Sequence, residues 1–222
     1  NVIDHWNLCL QCRACESACP SGVEYGKLIT TTKILVNKNI KKSKLENFLW
    51  KLGFLIIEKK ILLFSIGYIT KFYKFIGLQS LLRSKIIKIL LSPKISDLDK
   101  NLPALSNNFF YNTQKKFSVQ NGKLKRGKIS LLIGCIMCIT DANAISSTIR
   151  VLNFNGYEVI IPKSQKCCGA IQYHAGYLQN TIKLAKNNID SLLECNPDYI
   201  VSCSAGCGAQ LKEYIHLFEH DL

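Results

Sequence analysis

Lys128-Ile129-Ser130-Leu131-Leu132-Ile133-Gly134-Cys135 is a short apolar run that stops at a glycine and delivers a cysteine. A run of that length with such a boundary predicts a buried strand. The pattern returns twice downstream. Tyr157–Ile161, closed by Pro162, leads to Cys167-Cys168-Gly169, and Tyr199–Ser202 runs into Cys203-Ser204-Ala205-Gly206-Cys207-Gly208. Helical spacing fills the gaps. One helix is expected from about Asp141 to Asn155, with Ile145, Ile149 and Leu152 on one face and Gly156 as its stop. A longer one is expected over roughly Tyr173–Cys195, and a last amphipathic helix carries Leu211, Ile215 and Phe218. Strands alternating with helices predict a parallel sheet of three or more strands over residues 126–222.

In open parallel α/β sheets, ligands sit outside the carboxyl ends of the strands. Each strand here is followed by a cysteine group, so Cys135, Cys167, Cys168 and Cys207 are expected at one edge. Adjacent cysteines do not fit a zinc knuckle of ordinary spacing, but they can supply two ligands to one face of a cluster. Gly169 would permit close backbone approach there. Cys203 stays open as a fifth thiolate. Cys138 and Cys195 read as small buried hydrophobes, with a ligand role as the alternative for Cys138.

The amino terminus carries a different signature. Cys9-Leu10-Gln11-Cys12-Arg13-Ala14-Cys15-Glu16-Ser17-Ala18-Cys19-Pro20 has the C-x2-C-x2-C-x3-C-P spacing of bacterial ferredoxins. Short spacers let thiolates wrap a cluster from one tight loop, and soft sulfur matches cluster iron. A four-cysteine zinc site would pair two C-x2-C knuckles across a longer gap, and no second knuckle follows here. In two-cluster ferredoxins the fourth cysteine of such a run ligates the other cluster. With only eight residues before Cys9, a sister motif would have to lie upstream, and the first residue is Asn1, not Met. The chain is therefore expected to begin inside a longer polypeptide.

The flanks narrow the family. Cys9–Pro20 followed by Ser21-Gly22-Val23-Glu24-Tyr25 resembles the second ferredoxin motif of the glycolate oxidase iron–sulfur subunit, a family with ferredoxin-type and cysteine-rich (CCG) domains. Cys167-Cys168-Gly169-Ala170 with Tyr173-His174 resembles its first CCG repeat, as does Ser204-Ala205-Gly206-Cys207-Gly208 with Lys212-Glu213-Tyr214. The likeness is to the central half of that family, without the upstream motif or the second repeat. It implies an electron-transfer subunit of an oxidoreductase, with no catalytic residues of its own. The implied cofactors are 4Fe-4S clusters on Cys9, Cys12, Cys15 and Cys19 and on Cys135, Cys167, Cys168 and Cys207. A flavin-containing subunit would oxidise a 2-hydroxy acid, and the electrons would pass towards a membrane or quinone acceptor. The implied location is the cytoplasm, peripheral on the inner face of the cell membrane. Related subunits serving lactate, glycerol 3-phosphate or a heterodisulfide share these modules. Cys203-x3-Cys207 departs from the general C-x2-C ending, so cluster type and thiolate number stay open. His174 reads either as a group that hydrogen-bonds or relays protons at a cluster, or as an ordinary half-buried histidine.

Composition frames the rest. The 222 residues are 48% hydrophobic and 20% charged, as globular chains are. Eleven cysteines in tight groups suit metal binding better than a disulfide framework, which belongs to short secreted chains. Of the net charge of +14, +12 falls between Lys33 and Lys94, where fourteen Lys/Arg face only Glu46 and Glu58. Compositional drift and an anionic partner both account for that bias. No recognition motif supports a zinc-stabilised nucleic-acid-binding protein, so no nucleic acid partner is expected. The best apolar run, Ile61–Ile69, is about half of the 18 residues a spanning helix needs. Helices of this kind either lie on an anionic membrane surface or pack on the cysteine domains or the flavin subunit. The overall expectation is a mixed α+β and α/β chain. Residues 1–40 form a ferredoxin-like helical cluster module, and 41–125 a basic helical linker with a polar loop around Pro93 and Pro103. Residues 126–222 form the parallel α/β CCG domain.

Overall fold

The computed structural model describes residues 2–40, 42–79, 101–111, 115–119 and 124–218. Pro93 and the basic residues from 80 to 94 lie outside them. Five helices come first: α1 (Val2–Leu8), α2 (Ala14–Ser17), α3 (Tyr25–Asn39), α4 (Lys44–Glu58) and α5 (Lys60–Phe75). Then follow β1 (Lys115–Phe117), β2 (Gly127–Leu132), α6 (Met137–Thr140), α7 (Ala142–Phe154) and β3 (Tyr157–Ile161). The chain continues through α8 (Ala170–His174), α9 (Leu178–Leu193), β4 (Tyr199–Ser202) and α10 (Ala205–Leu217).

The sheet order is β1-β3-β2-β4. β2 lies between β3 and β4 and is parallel to both, as the alternation of strands and helices predicts. β1 joins the outer edge of β3 antiparallel, so the sheet is mixed. Three residues, two of them lysines, carry no periodicity from which such a strand could be read. What favours it is charge: Lys116 Nζ lies 3.3 Å and Lys125 Nζ 3.2 Å from the carboxylate of Glu158 on β3.

Period-two alternation splits the core across the sheet. Leu131 and Ile133 meet Val159, Ile161 and the α7 residues Ile145 and Ile149 on one face. Leu132 meets Leu184 and Leu192 of α9 on the other. The result is a three-layer helix–sheet–helix domain. The single helix expected over Tyr173–Cys195 is two. At Gly176, φ is +81°, a left-handed value that glycine takes without a Cβ penalty, and the chain turns there between α8 and α9.

The middle region is more than a linker. Ser43 caps α4 by accepting the Glu46 N–H at 3.1 Å, and the chain bends at Lys59 into α5. Ile56, Leu63 and Phe64 pack into the core on the α7 side, with Phe109 and Ile139. Ile57 packs on the opposite core, and the Phe54 ring meets Tyr177 at 4.9 Å. The other face of the hairpin stays open: Phe48, Leu49, Ile61, Ile69, Phe72 and Phe75 are exposed.

Helix α3 corrects the hydropathy pattern. Hydropathy spacing marks Leu28, Thr32, Leu35 and Val36 as one face, yet Leu28 and Leu35 are exposed and the buried residues are Gly26, Ile29 and Thr30. Polar bonds choose this face. Thr30 Oγ1 donates to Gln11 Oε1 at 3.0 Å, Lys33 Nζ to the Cys9 carbonyl at 3.2 Å, and Asn37 Nδ2 to the Gly176 carbonyl at 3.0 Å.

Leu63→Ala removes a 5% exposed side chain from a core shared with β2 and α7. It should lower stability by about 2–4 kcal/mol and shift the single urea transition of the whole chain. A transition of the cysteine-rich domain that does not move would mean that α5 only rests on it.

Candidate metal centre

Three strand ends build the site. Cys135 follows β2 by three residues, Cys167 and Cys168 sit between β3 and α8, and Cys207 lies in the first turn of α10. The Cys135 and Cys167 sulfurs are 3.4 Å apart, and those of Cys168 and Cys207 3.3 Å. All four pack together with Leu132, Leu184 and Leu192. They lie as two pairs. Among the described residues no group of three or more His, Cys, Asp or Glu side chains is placed to hold a single metal ion.

Buried amides fix the Cys-Cys loop. Gln165 accepts the Ile133 N–H at 2.9 Å and donates to the Leu131 and Pro162 carbonyls, tying the loop to the end of β2. Asn188 accepts the Lys166 N–H at 2.8 Å and donates to the Cys167 carbonyl at 2.9 Å. Its amide also donates to the Tyr214 hydroxyl, which in turn donates to the Cys168 carbonyl at 2.8 Å. Gly169 then starts α8 at φ +85°, and a Cβ there would lie 3.3 Å from Thr181. Sequence reasoning missed Gln165 and Asn188, and read Tyr214 only as part of the Lys212-Glu213-Tyr214 motif. Their only signal was a polar side chain where the helix stripe or loop turns inward.

Cys167, Cys168 and Cys207 are held protonated. The Cys135 hydrogen bond pushes Cys167 up, Cys167 pushes Cys168 up to about 12, and the Cys168 hydrogen bond pushes Cys207 up. Burial adds to each shift. A set of soft donors bonded mainly to one another suits a thiophilic metal group, whose positive charge would displace the protons. Cys203 is set apart. Its thiol bonds to Thr148 and packs on the α7 side with Cys138, although it is close enough to feel Cys207. Cys138 donates to the Gly134 carbonyl and burial raises it to about 11. Cys195, half-buried, donates to the Leu192 carbonyl at the end of α9.

The amino-terminal run forms a second candidate site. Cys12 and Cys15 are exposed, Cys9 and Cys19 half-buried. Backbone N–H groups of Val23, Ser21 and Gly22 point at the Cys19 sulfur and lower its pKa, so this position favours a thiolate. Gln11 and Arg13 take positive φ to make the loop, and the Gly26 N–H donates to Glu16 to close it onto α3. The Arg13 guanidinium pairs with Glu213 of α10 at 2.8 Å. Glu213 lies six residues beyond Cys207, roughly 9 Å along the helix axis. His174 stands at this seam. Burial, Arg13 and Lys33 lower its pKa, and its Nδ1 is buried with no partner among the described residues.

Residues 129–212 match the family model of the cysteine-rich domain (CCG). A Bacillus subtilis protein named probable glycolate oxidase iron-sulfur subunit is 30% identical over 217 residues, 97% of this chain and 48% of the relative. The Escherichia coli glycolate oxidase iron-sulfur subunit is 26% identical over 224 residues, 98% of this chain and again 48% of the relative. Lactate utilization protein A of Oceanobacillus iheyensis is 39% identical over 94 residues, 42% of this chain and 38% of that protein. The chain thus spans about half the length of the glycolate oxidase relatives. No solved structure matches it.

The raised thiols fix the sign of a pH effect in the metal-free chain. Between the ordinary thiol pKa of 9.0 and the folded value of about 12 for Cys168, the folded state holds more protons than the unfolded state. Stability contributed by these thiols is complete below pH 9 and is lost as pH rises through that window. Urea midpoints at pH 8 and pH 10.5 should fall with pH, and Cys168→Ala should flatten the slope. An equal slope in both proteins would count against a protonated Cys168.

Proposed function

We propose that this chain, which carries a cysteine-rich domain and is homologous along nearly all its length to proteins named glycolate oxidase iron-sulfur subunit, is an iron–sulfur electron carrier of such an oxidoreductase. The observation that carries the proposal is the convergence of four thiols from three strand ends at paired distances of 3.3–3.4 Å. Cys135, Cys167, Cys168 and Cys207 would hold one 4Fe-4S cluster, and Cys9, Cys12, Cys15 and Cys19 would serve a second. Each cluster supplies one-electron redox chemistry when bound. The chain's own residues set the conditions for it. Gln165, Asn188 and Tyr214 hold the Cys-Cys loop in place, and Leu132, Leu184 and Leu192 keep water from it. The Arg13–Glu213 pair ties the first loop to the helix that carries Cys207, which gives electrons a short route between the two sites.

Residues 1–40 act as the cluster module, 41–125 as the connecting helices and 126–222 as the cysteine-rich domain in this proposal. A flavin-containing subunit delivers the electrons of a 2-hydroxy acid, and a membrane or quinone acceptor receives them. The cytoplasmic membrane surface is the proposed location. Supporting it, no helix among the described residues is long and apolar enough to cross a membrane, while α4 and α5 expose apolar side chains between lysines. Lactate is the second substrate reading, favoured by the 39% identity to lactate utilization protein A over 94 residues.

Anaerobic reconstitution with iron and sulfide should yield two electron paramagnetic resonance signals. Cys12→Ser should abolish one and Cys168→Ser the other, each with a matching loss of iron, because a hydroxyl is a poor ligand for cluster iron. Iron content unchanged in both variants would sink the ligand assignment. Dye reduction by glycolate or lactate should require an added flavin subunit. Turnover by this chain alone would overturn its role as a carrier.

A further inference from the structure

The inward stripe of the α4–α5 elbow is Ile56, Ile57, Lys60, Leu63, Phe64 and Gly67. Spacings of three and four put Lys60, Leu63, Phe64 and Gly67 on one face of α5, and across the bend at Lys59 Ile56 of α4 packs with Leu63 and Phe64. The aliphatic and aromatic members pack against the two cores that contain Cys135, Cys138, Cys167 and Cys168. Lys60 is the only polar member of the stripe. It is half-buried where its neighbours Lys59 and Ile61 are exposed, and no hydrogen bond or ion pair holds its ammonium among the described residues. Burial pushes its pKa down, and the thiols of Cys135 and Cys138 are the groups that oppose the shift. A half-buried ammonium with no carboxylate beside it is costly. The same charge becomes favourable if the neighbouring thiols become thiolates.

We propose that Lys60 is the counter-charge of the cluster held by Cys135, Cys167, Cys168 and Cys207, placed by the α4–α5 elbow to raise that cluster's reduction potential. The inference rests on the ligand assignment made above. One electron enters the cluster on reduction and no bond forms or breaks, so the site gains one negative charge. A fixed positive charge beside it, in a medium of low dielectric constant, stabilises the reduced state. Lys60 acts through the cluster's surroundings and is a positioning residue.

The test is a dithionite titration of the reconstituted full chain, followed by electron paramagnetic resonance. The second-site signal is identified as the one lost in Cys168→Ser. Lys60→Met keeps the apolar stem and removes the charge. It should retain iron and make reduction at this site at least tenfold less favourable, about 59 mV for a one-electron couple. Lys60→Arg should restore the potential, and Lys60→Glu should lower it further than Lys60→Met. A merely structural lysine would change the urea midpoint without ordering the potentials by charge. Potentials equal in all variants, with iron retained, would overturn the role of Lys60 and leave the ligand assignment standing. If wild-type chain yields no signal that depends on Cys168, the ligand assignment fails and this inference fails with it. Should Lys60→Met lose its iron, the comparison of Lys60→Arg with Lys60→Gln decides: equal potentials overturn the proposal.

Discussion

A buried amide, hydroxyl or carbonyl left without a partner costs about 1–3 kcal/mol, and that cost organises the cysteine-rich domain. Gln165 and Asn188 are almost wholly buried: Gln165 ties the loop between β3 and α8 to backbone groups at the end of β2, and Asn188 holds the loop's own backbone. Tyr214 closes the chain of bonds from α10. The end of β2, α9 and α10 are thereby locked to the loop that carries the two adjacent cysteines. The sheet supplies the direction and the polar frame supplies the position. Without that frame the paired thiols at the strand ends would have no reason to meet.

The helical hairpin extends the same logic outward. Its inner face completes the core beside β2 and β3 with Leu63, Phe64 and Phe109, so the cysteine site is roofed by residues from the cysteine-free stretch. Its outer face is apolar and exposed, with Phe75 at 87% and Ile61 at 81%. One element therefore faces both the buried thiols and the surroundings of the protein. Lys60, on its inner side, is half-buried and near enough to Cys135 and Cys138 for their charge to act on it.

The two cysteine sites meet across a polar seam. Arg13 is held between Cys12 and Cys15 in a left-handed backbone conformation and reaches Glu213 on the helix that begins near Cys207. A half-buried ion pair of this kind, still in reach of water, contributes little stability, about 0–1 kcal/mol. Its value is geometric: it sets the register of the first loop against α10, with Thr30 and Lys33 fixing the loop, and Asn37 the turn between α8 and α9, to α3. A seam built from such bonds ties the two cysteine groups together while leaving each on its own elements.

Local spacing determined a good deal by itself. The strands at Tyr157–Ile161 and Tyr199–Ser202 stand where β-branched runs and their breakers put them, and β2 differs by one residue at each end. Strand and helix alternation made the sheet parallel, and parallel strands bring their carboxyl ends to one edge, so Cys135, Cys167, Cys168 and Cys207 could be grouped from sequence. Tertiary structure decided how those four pair, because Cys168 and Cys207 are 39 residues apart and meet only when β3 and β4 flank β2. It also set Cys203 on the α7 side, turned α3 onto a polar face that hydropathy does not register, and added β1 through Lys116 and Glu158. Periodicity records which residues shun water along one element. Which of two faces turns inward, and what it meets there, depends on partners from distant parts of the chain.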